Sequence, residues 1–105
     1  MFTINGIEWK VVYVDPFSEN LHRSDGSLTV GVCNLDTKTI YISDMLQGKF
    51  LRKVLLHETC HAAMFSYSIF LTLEQEELFC DLLATYGDEI VNIVDEMFQR
   101  LRYVV

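Results

Sequence analysis

The spacing of apolar residues changes once along this chain, near Ser43, from every second position to every third or fourth. That change divides the chain into a β half followed by a helical half, the pattern of an α+β domain. Before it, Phe2-Thr3-Ile4 and the run from Ile7 to Val14 flank Asn5-Gly6, which supplies the two positive φ angles of a tight hairpin turn. Asp15-Pro16 ends that strand, and residues 15–27 read as a polar loop. Leu28 to Cys33 and Thr39 to Ser43 then alternate around the turn Asn34 to Lys38. The β half is therefore expected to be antiparallel hairpins in a small sheet.

After Ser43, Asp44 and Gln47 fit a capping box for a helix from about Met45 to Tyr67, with Gly48 weakening its first turn. Thr72 and Gln75 fit a second box, opening a helix that Gly87 is placed to stop as a C-terminal cap residue. Asp88 would open a third helix, on which Ile90, Val91, Ile93, Val94, Met97, Phe98 and Leu101 make a broad apolar face. At 105 residues, positions 1–105 are expected to form one domain of hairpins followed by three helices.

Fifteen acidic against eight basic residues give a formal charge of −7. That balance repels phosphate backbones and anionic membranes, so neither nucleic acid nor a membrane surface is an expected partner. Met1 to Gly6 shows neither a basic stretch nor a long apolar run, and no segment approaches the roughly 18 apolar residues that span a bilayer. Cys33, Cys60 and Cys80 are too few, and odd in number, for a disulfide framework. A reducing, cytoplasmic location is the expectation.

One stretch carries chemistry: His57-Glu58-Thr59-Cys60-His61 on the first helix. Positions i and i+4 share a helix face, so His57 and His61 can aim two imidazoles at one metal ion. Glu58, about 100° around the helix, falls beside such an ion, where it can act as general base towards a water. A catalytic zinc needs a third protein ligand and an open position. Met64 and Tyr67 stand where a metzincin would have Gly and a third His, so the ligand is sought on the next helix. There Glu77 and Asp81 are four apart and share a face. Glu77 is expected as the third ligand and Asp81 as acceptor for a ligand imidazole N–H, with Asp81 the alternative ligand. Glu74 and Glu76 read as solvated charges near a helix N-terminus. Cys60 and Cys80 read as small buried apolar residues rather than ligands, His22 as a loop residue, and Tyr41, Tyr67 and Tyr86 as core or rim aromatics. Lys49, Arg52 and Lys53 read as a solvated face pairing with nearby carboxylates.

The pairing of His57-Glu58-Thr59-Cys60-His61 with Glu77-Leu78-Phe79-Cys80-Asp81 resembles the gluzincin branch of the zincins, which carry HExxH on one helix and ExxxD on the next. The short link between the motifs and the preceding β half resemble the compact, often phage-encoded zincins of the ImmA/IrrE type. Cys60 departs from that type's usual Gly, as Leu78-Phe79-Cys80 does from its Ala-rich run. The resemblance spans about residues 39–87. It implies a Zn²⁺-dependent endopeptidase with one zinc per chain, ligands His57, His61 and Glu77, and Glu58 as base. It also implies that Thr39 to Ser43 is an edge strand beside the cleft, able to hold an extended peptide by strand addition.

Two functions from different classes follow. The first is a zinc metallopeptidase acting on a protein or peptide, including a regulator that cuts one partner. The second is a metal-stabilised binding module on a zincin fold, without turnover.

Overall fold

A computed structural model describes residues 1–102 of the chain. Four strands, β1 (Phe2–Ile4), β2 (Ile7–Val14), β3 (Gly31–Asn34) and β4 (Thr39–Ser43), precede two helices, α1 (Gly48–Ser66) and α2 (Leu73–Arg102). The fold is α+β, as the period change predicts.

The first hairpin forms around Asn5 and Gly6, with φ of 48° and 78°, and pairs Phe2 with Trp9. The second joins β3 to β4 and pairs Cys33 with Ile40. The two hairpins do not make an all-antiparallel sheet. Val11 pairs with Ile40 in a parallel ladder between β2 and β4, giving a mixed sheet of order β1-β2-β4-β3. The long loop between the hairpins makes this possible, because it returns the chain to the same end of the sheet. It is not wholly polar. Glu19–Leu21 forms a single 3₁₀ turn that buries Leu21 completely. β3 is also shorter than expected, since Leu28 makes only an isolated bridge with His22.

This order corrects the edge-strand expectation. Thr39–Ser43 is internal, paired on both sides, and Ile40 and Ile42 are fully buried. The edge beside α1 is β3.

One face of α1 packs on the sheet through Val54 and Ala62, with Leu51, Leu55 and Phe65, against Trp9, Ile40 and Ile42. The Trp9 indole N–H donates to the Ser66 hydroxyl at 2.9 Å, and the Asn5 amide donates to the Ser66 carbonyl, fastening the first hairpin to the helix end. The expected box at Asp44 does not form. Ser43 instead accepts from the Met45 and Leu46 amides, and the helix starts at Gly48, whose φ is 60°.

The expected break at Gly87 is absent, so there are two helices rather than three. The Thr72–Gln75 box is reciprocal, both bonds at 3.1 Å, and the helix it opens runs 30 residues through Gly87. Gly87 is buried, and its φ lies outside the left-handed region that a cap glycine adopts. Asp88, instead of capping a new helix, receives a bidentate ion pair from Arg52 of α1 at 2.8 and 2.9 Å. None of the described helices is long and apolar enough to cross a membrane.

Candidate metal centre

The second face of α1 carries His57, Cys60, His61 and Met64, and meets the first half of α2. Cys60, Met64 and Cys80 form a small buried cluster between the helices. Both thiols are packing groups, as expected: burial pushes each above its usual pKa, and the two are free of disulfides. His61 faces Glu76 and Glu77, His57 faces Glu77 and Asp81, and Arg52 faces Asp88, so the helices run antiparallel. The i, i+4 spacing on each helix thus brings two histidines and their acidic partners together across one helix–helix contact.

The geometry is specific. His57 Nε2 lies 3.2 Å from His61 Nε2. The Glu77 carboxylate lies 2.8 Å from His61 Nε2 and 3.3 Å from His57 Nε2. Ligands held about 2.0–2.1 Å from a tetrahedral zinc sit about 3.3 Å from one another, so the three donors are spaced to share one ion. The far sides of the rings are also tied down. His57 Nδ1 is 2.9 Å from Asp81, and His61 Nδ1 is 2.7 Å from Glu76. An N–H at each Nδ1, donating to its carboxylate, leaves each Nε2 lone pair facing the other and Glu77. Three acceptors converging in this way offer one cation a shared seat, and this donor set fits zinc.

The sequence-derived roles can now be located. His57, His61 and Glu77 lie together, all three partly buried. Asp81 touches a histidine as expected, with its side chain 66% exposed. Glu76 was the residue missed. Only 26% exposed, it is less accessible than Glu77 or Asp81 and holds His61. It stands four residues before the fully buried Cys80, on the stripe of α2 that faces α1. That spacing was the signal for it.

Glu58 points from α1 towards β3 and is buried. Burial raises its carboxyl above the usual carboxylate range; His57 and His61 pull it down, and Glu77 adds to the rise. No hydrogen bond or ion pair among the described residues engages it. Gly31 explains how the edge strand comes so close. A Cβ there would fall 2.7 Å from Val54 Cγ1 and 3.2 Å from Glu58 Cγ, contacts that only glycine avoids. Glu58, His57 and Asp81 line a cleft of about 190 Å³ whose other walls include Val30, Gly31, Arg23 and Lys53. A larger hollow of about 320 Å³ along α1, lined by Leu51, Leu55 and Leu56 among others, holds none of these donors and offers no comparable chemistry.

Residues 14–75, from the end of β2 to the start of α2, match the SprT-like family. The chain belongs to the SprT-like family. This is a zincin-like family of the metallopeptidase type, so the zincin expectation holds at family level. The SprT-like match covers the HExxH helix and β3, β4 and the loop before them, and stops just short of Glu76, Glu77 and Asp81. No curated protein and no solved structure matched the chain.

Proposed function

We propose that this protein is a zinc-dependent peptidase acting on an extended protein or peptide segment. One observation carries the reading: His57, His61 and Glu77 converge at the spacing of a tetrahedral site beside a buried, unengaged Glu58. Bound zinc supplies Lewis acidity, polarising a peptide carbonyl and bringing the pKa of a water towards 7. Glu58 accepts the proton of the attacking water and returns it to the leaving amine. Its raised pKa favours holding that proton between the two transfers. Asp81 and Glu76 keep His57 and His61 in the tautomer that leaves Nε2 free. A carboxylate third ligand on the helix after HExxH makes the site gluzincin-like; an ImmA/IrrE-like or phage-type kinship remains a finer reading of the same motifs.

The substrate would lie along the outer edge of β3, where the backbone is unpaired within the sheet and Gly31 adjoins Glu58. Strand addition suits a cleft this small, since main-chain pairing needs no enclosed pocket. The same small volume, below the roughly 300 Å³ at which ligand pockets begin, favours the second reading, a metal-stabilised binding module. The free thiols at Cys33, Cys60 and Cys80 suit a reducing compartment such as the cytoplasm.

Zinc-loaded wild type and Glu58→Gln separate the two readings. Incubated with unfolded and candidate partner proteins, wild type should cleave, and the variant should be slower by about 10²–10⁴-fold. Equal cleavage by both would remove Glu58 from the mechanism, and binding without cleavage would favour the module.

A further inference from the structure

The second half of α2 leaves the body of the molecule. Asp88 is held by Arg52 near the start of α1, and every residue from 88 to 102 is exposed. Yet this projection is amphipathic. Ile90, Val91, Ile93, Val94, Met97, Phe98 and Leu101 occupy one side, each 49–63% exposed, while Glu89, Asn92, Asp95, Glu96, Gln99 and Arg100 occupy the other. At roughly 100 Å² each, those seven residues present on the order of 700 Å² of apolar surface. A typical monomer's largest patch is about 300–600 Å², and one partner of a standard interface buries about 800 Å².

We propose that a second copy of this chain covers this face, in an antiparallel helix pair. Two features of the helix specify that occupant. Ile90, Val94, Met97 and Leu101 follow a 4-3-4 spacing, the seam of a two-helix contact. Run antiparallel, the seam matches itself: Val94 meets Met97 of the second copy, Ile90 meets Leu101, and Ile93 meets Phe98, which closes the pair by a two-fold axis. The charges agree with this direction. In this register the acidic start of each projection, Asp88 and Glu89, lies beside the basic end of the other, Arg100 and Arg102, while Asp95 and Glu96, the latter paired with Arg100 of its own helix, lie about the two-fold axis. A parallel pair would stack like on like. The proposal does not depend on the metal centre or on peptidase activity.

Sedimentation of the full chain across the micromolar range tests it. Wild type should approach twice the 12.2 kDa chain mass, and Val94→Glu with Met97→Glu should stay monomeric. Unchanged zinc content and circular dichroism would show that the double variant is folded. Direction is read by oxidative cross-linking: mixed Val94→Cys and Met97→Cys chains should couple faster than Val94→Cys alone. A wild type that remains monomeric, or whose mass the double variant leaves unchanged, overturns the proposal and leaves the face to a different partner. Faster self-coupling of Val94→Cys overturns the antiparallel arrangement.

Discussion

Glu58 and Glu76 are the two residues whose roles depend most on their surroundings. In the metal-free protein the raised pKa of Glu58 means that the folded state binds its proton more tightly than the unfolded state does. Folding stability should therefore fall as pH rises from the unfolded value near 4.5 through the higher folded one. Glu58→Gln removes that titration. Followed by thermal melts of metal-free protein, it should flatten the decline over this window and melt higher than wild type at pH 7; an identical pH profile would show that Glu58 carries no such cost. Glu76→Ala should weaken zinc binding about 10–100-fold, measured by competition with a chelator, because His61 loses the carboxylate that orients it. Unaltered affinity would return Glu76 to the solvated surface. That His57, His61, Glu77 and Asp81 come together was legible from spacing, since i, i+4 pairs on two successive helices have few ways to meet. Glu76 was legible only through its distance from Cys80, because at a helix start an acidic residue has a sufficient explanation in the dipole.

At the scale of elements, local signals located the turns and failed where packing decided. Asn5-Gly6 and Thr72–Gln75 formed as their chemistry dictates. The parallel β2–β4 ladder was invisible, because strand order is set by which apolar faces bury together and alternation is the same in either direction. The same limit misplaced the substrate edge, which is β3 rather than β4. Gly87 is the opposite case: a strong local stop signal overridden where the glycine is buried and its neighbour Asp88 pairs with Arg52 of α1. This has a measurable consequence. A cap glycine in a left-handed conformation resists alanine, whereas a glycine inside a helix is improved by it. A Cβ at Gly87 would meet the end of the Leu83 side chain at 2.9 Å, and Leu83 is 37% exposed and free to turn aside. Gly87→Ala should therefore stabilise the fold by about 0.5–1 kcal/mol in chemical denaturation. Destabilisation would argue for a break in α2.

On the scale of the whole molecule, the metal centre and the helical projection divide α2 between them. Its first half is joined to α1 by the buried cysteine cluster and the proposed ligands; its second half presents an apolar face outwards. A chain of 105 residues has a small core, so an ion held by His57 and His61 from one helix and Glu77 from the other would add a cross-link between the two helices. The −7 formal charge argues against nucleic acid and anionic membranes, yet three of its acidic residues, Glu76, Glu77 and Asp81, gather at this one contact, with Glu58 on the β3 side of α1. The most direct test is the zinc content of purified wild type and Glu77→Ala by elemental analysis. One zinc per wild-type chain, lost in the variant, is the result this site predicts; a wild type without zinc, or a variant that retains it in full, would contradict it.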